Sequence, residues 1–225
     1  MKRPKFFLFL LGIMAFNTAS GLNYEQRTFE TTIKKLNNNP WKLEKEADGI
    51  KIYTRHIEGW DIKEYKAVFY VKATLKAVEN ALRDTPNQKK WSKNTISSKE
   101  IKNISRNNFY TYSQSDSPWP ASDRDNVVHI KYSYPQRGEI HIKINSEPDK
   151  HPRDANFVRV ERMQGIWKLQ ETKSGLIKIT QQAVVDPGGS APVWLINSFL
   201  VSGPHKNMKN LKQYIEKNAA ALARL

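Results

Sequence analysis

The sequence contains no cysteine among its 225 residues. This absence excludes a disulfide scaffold, a thiol nucleophile, a thiolate zinc site and attachment of a lipid to an N-terminal cysteine. Acidic residues are also scarce, because 22 Asp and Glu stand against 37 Lys and Arg and leave a formal net charge of +15. A surplus of this size favours an anionic partner, but it does not distinguish nucleic acid from membrane.

Long apolar runs are scarce as well. Phe6–Phe16 has eleven apolar or glycine positions, well short of the roughly 20 residues that cross a membrane as a helix. Basic residues precede this run and small or polar residues follow it at 17–21, which is the order of a secretory signal peptide. We therefore expect residues 1–20 to be a signal peptide cleaved near 19–21, a periplasmic or secreted mature protein, and no nucleic-acid partner.

Local catalytic signatures are missing too, since no G-x-S-x-G, P-loop, G-x-G-x-x-G or H-E-x-x-H motif occurs. Asp123 and Asp125 lack the glycine and the distal glutamate of a calcium loop. The five histidines are scattered and share no metal-ligand spacing, so we expect no metal site: His56, His129, His141, His151 and His205. Catalytic carboxylate pairs form in space rather than in sequence, so an enzyme stays open as an alternative.

The apolar periodicity predicts one α+β domain over residues 22–225. Ile50–Arg55 and Ile62–Val71 alternate as two strands of a hairpin. Thr74–Leu82 changes to a helical period, with its threonine as the N-cap. From 96 to 185 the chain alternates again and again between turns, which is typical of an antiparallel meander.

Two further helices are predicted on either side of these strands. Residues 22–39 have a short amphipathic pattern that ends at Pro40. After Pro187-Gly188-Gly189, an apolar stripe over about thirty residues predicts a long amphipathic helix. Gly203-Pro204 interrupts this stripe, so we expect a kink or a break there. The same dipeptide is either a hinge for lid opening or a static kink.

An ordered set of tryptophan, proline and glycine motifs extends over the chain. The motifs are Trp41, Asp48-Gly49-Ile50-Lys51-Ile52-Tyr53-Thr54-Arg55, Trp91, Pro118-Trp119-Pro120, Ser122-Asp123-Arg124-Asp125, Gly165-Ile166-Trp167, Asp186-Pro187-Gly188-Gly189 and Pro192-Val193-Trp194-Leu195-Ile196-Asn197. In this order and at these intervals they resemble the START (lipid-transfer) domain family. The resemblance covers about residues 24–223, nearly the entire predicted mature chain.

The resemblance implies a helix-grip fold, in which a curved antiparallel sheet wraps around a long C-terminal helix and leaves an internal hydrophobic tunnel. It also implies a protein that holds one lipid or other hydrophobic molecule and uses no cofactor. We accordingly expect a monomeric lipid-binding protein and not an enzyme. The periodicity agrees with this architecture, because a sheet followed by one amphipathic helix must pack helix on sheet.

The resemblance places a set of candidate residues in or beside the tunnel. These candidates are Tyr65, Phe69, Tyr112, Trp119, Arg124, Ile142, Trp167, Trp194, Asn197, Leu200, Met208 and Leu211. Arg124 and Asp125 match the family's arginine–aspartate sequence. Either they pair locally and hold the loop after Trp119, or Arg124 reaches a lipid headgroup. Sterol-binding relatives carry a tunnel arginine six positions beyond Arg124, where this sequence has Ile130, and this departure argues against sterol specificity.

The basic surplus is concentrated in two segments. Residues 86–110 carry a local charge of +5 and residues 203–225 a local charge of +4. Such lysines usually form a solvated face, but near an anionic membrane each contributes about 1 kcal/mol of attraction. We therefore expect transient contact with an anionic membrane surface. Two alternatives stay open: a cyclase- or hydrolase-like enzyme of the helix-grip superfamily, and an exported module that binds polyanions or membranes with an empty cavity.

Overall fold

The computed structural model describes residues 39–117, 121–189 and 192–225. Ten strands form one curved sheet in the order β1-β2-β3-β10-β9-β7-β6-β5-β4, with β8 parallel to β6 and all other pairs antiparallel. The strands are Lys42–Ala47 (β1), Ile50–Arg55 (β2), Glu64–Val71 (β3), Thr95–Ser105 (β4), Asn108–Ser115 (β5), Arg124–Gln136 (β6), Glu139–Ser146 (β7), Val158–Arg159 (β8), Arg162–Glu171 (β9) and Ile177–Asp186 (β10). The helices are Leu75–Arg83 (α1) and Val193–Leu222 (α2), with 3₁₀ turns at Thr85–Lys90 and Pro148–Lys150. The fold class predicted from the sequence is confirmed, whereas the predicted signal peptide, the helix at 22–39 and Trp119 lie outside the described residues.

Local sequence determines the first elements as expected. Asp48 and Gly49 both have positive φ angles, 54° and 71°, which the two-residue turn between β1 and β2 requires. The Thr74 hydroxyl accepts a hydrogen bond from the Ala77 N–H at 3.2 Å and caps α1. The predicted helix and the predicted hairpin of β2 and β3 are therefore confirmed, although β3 begins at Glu64.

Strand alternation determines which side chains reach the inner face of the sheet. On β10, every second residue from Ile177 to Ala183 is buried, as a half-covered strand requires. The register places Gln181 opposite Trp167 on β9, and Trp167 opposite Ile142 on β7. These three side chains therefore form one row across the inner face.

The C-terminal helix α2 covers part of that inner face. It packs on β2, β3 and α1 and buries a stripe that runs from Leu200 through Met208 and Leu211 to Leu222. Of the kink or break predicted at Gly203-Pro204, the break is wrong, because α2 continues through Pro204, and the kink stays a prediction. Proline removes one backbone hydrogen bond of a helix, and the packed stripe on both sides holds the helix together. Within the described residues, no helix is both long and apolar enough to cross a membrane.

Candidate functional site

A cavity of about 280 Å³ lies between the inner face of the sheet, the segment that follows α1, and the middle of α2. Its volume is close to the lower end of the roughly 300–1,000 Å³ of small-molecule sites. Apolar and aromatic side chains provide most of the wall: Tyr65, Leu82, Trp91, Val128, Ile130, Tyr132, Ile142, Ile144, Met163, Trp167 and Met208. Such a wall suits a hydrophobic ligand.

A second depression is larger but chemically different. It has a volume of about 620 Å³ and lies between α1 and the turn from β6 to β7. Its lining is mostly polar or charged, including Glu79, Arg137, Glu139 and Glu171. We therefore take the smaller cavity, with its apolar wall, as the candidate site.

The cavity wall also contains polar groups. The polar members are Thr85, Gln88, Ser92, Thr111, Ser113, Asn126, Gln181 and Asn207. Among the described residues that line the cavity, none is Asp, Glu, Lys, Arg or His. The described part of the wall therefore holds no carboxylate or imidazole that would act as a general base on its hydroxyl groups.

Three polar atoms of this wall are buried without a hydrogen-bond partner in the described part of the chain: Gln181 Oε1, Asn126 Oδ1 and Trp91 Nε1. Gln181 and Trp91 are almost fully buried, with 6% and 8% of their surface exposed. A buried polar group without a partner costs about 1–3 kcal/mol. The residues that carry these two acceptors and this one donor all line the cavity.

Tyr65 lies beside Gln181 at this wall. Burial raises the pKa of the Tyr65 hydroxyl to about 12, although a hydrogen bond that the Gln181 side-chain N–H donates to the Tyr65 oxygen acts in the opposite direction. Tyr65 still keeps part of its surface accessible, and it lines the cavity. The hydroxyl thus stays protonated at neutral pH and is a donor at the cavity surface.

The structure brings four of the predicted tunnel residues together in the cavity wall: Tyr65, Ile142, Trp167 and Met208. Ile130, the position at which sterol-binding relatives carry an arginine, also lies in this wall. The other described candidates do not line the cavity: Phe69, Tyr112, Arg124, Trp194, Asn197, Leu200 and Leu211.

Phe69, Leu211 and Tyr112 fail to reach the cavity for two reasons. Phe69 and Leu211 are completely buried in the core where α2 is packed onto the sheet. Tyr112 is on the outer face, because its neighbour Thr111 faces inward and alternate residues of a strand point to opposite sides. Its hydroxyl donates to Asp125 Oδ2 at 3.1 Å, and its ring lies 4.4 Å from that of His151.

The local pair of Arg124 and Asp125 predicted from the sequence is wrong. Asp125 instead forms a two-pronged ion pair with Arg159, with both N···O distances 2.8 Å and the Asp125 side chain 1% exposed. Burial acts to raise the pKa of Asp125, but the hydrogen bonds and charge of Arg159 outweigh it, and the pKa is lowered. Arg124 points to the other side of β6 and donates to the carbonyls of Pro187 and Gly188 at 3.2 and 3.0 Å.

The beginning of α2 lies away from the cavity. Trp194 is 72% exposed, and the Asn197 side chain accepts a hydrogen bond from the Lys63 N–H, in the loop before β3, at 3.1 Å. Leu200 is the first buried residue of the helix, and it packs outside the cavity wall. Helical periodicity alone predicted one continuous face, but only the middle of α2 borders the cavity.

Sequence reasoning missed the polar residues of the wall, above all Gln181, Asn126 and Trp91. One signal was present, because Gln181 occupies an inward position between Ile179 and Ala183 on an otherwise apolar strand face. A polar side chain at such a position must find a partner or pay a desolvation cost. Periodicity could therefore have identified Gln181.

A lysine-lined groove adjoins the cavity. Lys90, Lys93 and Lys217 line it together with polar residues of α2 such as Asn210. The cavity and the groove share one chain segment, because Trp91 and Ser92 contribute to the cavity while Lys90 and Lys93 contribute to the groove. Part of the basic surplus is thus concentrated next to the apolar cavity. In the described ranges, no cluster of His, Asp or Glu could hold a metal ion.

A curved antiparallel sheet, a long C-terminal helix and an apolar cavity between them define a helix-grip binding domain. The chain belongs to the START domain family, whose family model matches residues 29–221. An uncharacterised protein of Pseudomonas aeruginosa is 34% identical over 177 residues, which are 79% of this chain and 87% of that protein. Human START domain-containing protein 10 is 24% identical over 165 residues, and the match covers 70% of this chain but only 55% of that protein.

Two solved structures show the same architecture. The STAR-related lipid transfer protein of Xanthomonas axonopodis has a TM-score of 0.73 and 32% identity, and the match covers 78% of this chain and 98% of that one. Human StAR-related lipid transfer protein 5 has a TM-score of 0.71 at 16% identity, with 85% and 94% covered. The similarity to the human structure shows the fold alone, whereas the Xanthomonas axonopodis protein is similar to this chain in sequence as well.

Proposed function

We propose that the chain binds a single lipid or other hydrophobic molecule in the cavity between α2 and the sheet, without covalent chemistry. The observation that carries this proposal is the apolar wall built around Trp167, Ile142 and Met208. The solved Xanthomonas axonopodis relative is a STAR-related lipid transfer protein, which supports the same class of ligand. The cavity gives the enzyme alternative little support, because the described wall residues include no Asp, Glu, Lys or His.

We also propose that movement of α2 admits the ligand. Met208 and Asn207 form the helical part of the cavity wall, so a ligand that enters from this side must displace that part of α2. Gly203-Pro204 lies just before these residues. Pro204 lacks the N–H that would bond to the Leu200 carbonyl, and a Cβ added at Gly203 would meet nothing within 4 Å. The helix therefore has one hydrogen bond fewer where a hinge would be needed.

Lipid content of the purified chain is the direct test. We expect native mass spectrometry to show one bound hydrophobic molecule per chain, and solvent extraction to release it. Stripped protein should take up a lipid again from vesicles at a stoichiometry of one. If the purified protein reproducibly contains no lipid, and takes none up from vesicles of mixed composition, the binding proposal fails.

Delivery or uptake of a lipid would require the protein to dock to a membrane. We propose that the lysine groove is the surface that binds the membrane. Lys90, Lys93 and Lys217 lie beside the cavity, and each contributes about 1 kcal/mol near an anionic surface. We expect the triple change of these residues to Gln to weaken binding to phosphatidylglycerol vesicles by at least tenfold. Binding of the unmodified chain should fall as salt screens these charges.

A second triple variant is the matched control for charge. Lys131, Lys143 and Lys168 project from the outer face of the sheet, where β6, β7 and β9 lie side by side. Changing these three to Gln removes the same charge and should leave vesicle binding nearly unchanged. Equal losses in both variants would mean that net charge, not the groove, drives binding. Salt-sensitive vesicle binding without any lipid uptake would select the polyanion- or membrane-binding module instead.

The N-terminal pattern supports export, and we propose that residues 1–20 direct it and are then removed. Expression of the full chain in a bacterium with separate periplasmic extraction tests this proposal. N-terminal sequencing should find a mature protein that begins near residues 20–22. Retention of the intact N-terminus in the cytoplasmic fraction would contradict it.

A further inference from the structure

The two unpartnered oxygen atoms of the cavity wall lie at separate positions on the sheet. Gln181 is on β10 opposite Trp167, whereas Asn126 is on β6, next to Ser113 of β5. Three strand-to-strand steps separate β10 from β6, which is roughly 14 Å across the strands. The row of Gln181 meets β6 at Tyr132, so Asn126 is also displaced by six residues along β6. The apolar side chains of Ile142 and Ile144 lie on β7, one of the two intervening strands. The cavity thus has an apolar middle between two polar positions.

Of these two positions, Gln181 is the better supported as a hydrogen-bonding site for a ligand. It is nearly fully buried on a central strand, and its Oε1 accepts no hydrogen bond from the described residues. The Tyr65 hydroxyl beside it is a donor at neutral pH. An acceptor and a donor at one point complement a group that both donates and accepts, such as a hydroxyl or an amide.

Resting on the proposed function, we infer that the ligand is an uncharged amphiphile whose hydroxyl or amide group is hydrogen-bonded by Gln181 and Tyr65 while its hydrocarbon chain lies against Trp167 and Ile142. The group donates to Gln181 Oε1 and accepts from the Tyr65 hydroxyl. This arrangement gives the buried glutamine oxygen the partner that the described residues do not supply.

The lack of basic residues in the described wall disfavours anionic headgroups at this position. A carboxylate or a phosphate would be buried where no described wall residue is Lys, Arg or His, and an unpaired buried charge is far more costly than an unpaired dipole. An ionised carboxylate also has no proton to donate to Gln181 Oε1. A plain hydrocarbon would fill the middle of the cavity but would leave the glutamine oxygen without a partner.

A series of ligands with one chain length tests the inference. Dodecanol, dodecanamide, dodecyl methyl ether and dodecanoate are competed against a neutral fluorescent probe at neutral pH, where dodecanoate is ionised. We expect dodecanol and dodecanamide to bind at least tenfold more tightly than dodecanoate. Dodecyl methyl ether, which accepts but cannot donate, should bind several-fold more weakly than dodecanol.

Two variants on the same strand locate the effect. Gln181→Leu should abolish the preference for dodecanol over its methyl ether, whereas Gln182→Leu, on the outer face, should preserve it. If Gln181→Leu does not fold, Gln181→Met, which keeps the length of the side chain but removes the amide, takes its place in the same comparison.

The failures of the two proposals are distinguishable. If no member of the series binds and no lipid is extracted, the proposed function fails. If all four bind, but dodecanoate binds as tightly as dodecanol, or the preference survives in Gln181→Leu, the cavity binds hydrophobic molecules and only the inference about their polar group is overturned.

Discussion

The space between α2 and the sheet has two halves that differ in packing. Under the second part of α2, Leu211 and Ile215 meet Phe69 and Ile52 in a core where all four side chains are completely buried. We call this region the packed half. Around Met208, the same helix and the same sheet leave the cavity of about 280 Å³, which we call the cavity half. One amphipathic helix therefore both stabilises the fold and borders the candidate site.

The difference between the halves comes from how closely α2 approaches each strand. The helix packs directly on β2 and β3, so their inward side chains fill the space. The inward residues of β6 and β7, such as Ile130 and Ile144, instead face the cavity. Because protein interiors are normally packed without voids of this size, the cavity half is a site maintained at some cost in stability.

The largest expected effect belongs to the packed half. Leu211→Ala removes a fully buried side chain and should lower the free energy of unfolding by about 2–5 kcal/mol, because the surrounding core cannot collapse onto the space left behind. Met208→Ala, one turn earlier, should cost less, since that side chain already borders the cavity. Urea titrations of both variants measure the difference, and equal costs would show that the two halves are packed alike.

The next effect is a pH dependence in the cavity half. The pKa of Tyr65 is raised from 10.0 to about 12 in the folded chain, so its contribution to stability is complete below pH 10 and is lost as the pH rises toward 12. The unfolded chain then releases a proton that the folded chain still holds. A two-unit shift corresponds to about 3 kcal/mol. Tyr65→Phe should flatten this part of the stability–pH curve, and an unchanged slope would contradict the burial of this hydroxyl.

A substitution that fills the cavity should weaken ligand binding but change the free energy of unfolding only slightly. Ile130→Phe adds volume at the cavity wall and should weaken ligand binding by at least tenfold, or about 1.4 kcal/mol. The free energy of unfolding should change by less than about 1.5 kcal/mol. Ile104→Phe, the same substitution on an exposed residue of β4, is the control and should leave the affinity unchanged. Unaltered binding by Ile130→Phe would place the ligand elsewhere.

The smallest expected effect concerns the helix that joins the two halves. Gly203→Ala should raise the free energy of unfolding by about 0.5–1 kcal/mol, because alanine favours the helix and its Cβ meets no neighbour. The rate of ligand uptake should fall if α2 bends here to open the cavity. Ser202→Ala, at the adjacent exposed position, controls for helix propensity. Equal uptake rates in both variants and the unmodified chain would argue for a static helix.

The sequence was sufficient for the elements whose cause is local. The residue types at these positions predict the Thr74 cap and the Asp48-Gly49 turn, and the structure contains both. The cap and the turn depend on neighbours in the chain, so a single sequence contains them. The resemblance to the START family placed Tyr65, Ile142 and Trp167 in or beside the tunnel, and all three line the cavity.

Other predictions failed because they required distances between remote segments. The partner of Asp125 is Arg159, 34 positions away along the chain, and no local pattern connects the two. Trp194 belongs to the family motif and to an amphipathic helix, yet it is exposed. Its place depends on where α2 crosses the sheet, which periodicity does not specify.

The sequence by itself determined an α+β domain of the START family, the order of its strands along the chain and the concentration of lysines beside Trp91. Only the tertiary structure decided which inward residues are packed and which line a cavity, and it alone revealed Gln181 as a buried acceptor without a partner among the described residues. The physical reason is that periodicity reports which face a side chain takes. Whether that face meets another element or open space depends on how the helix lies across the sheet.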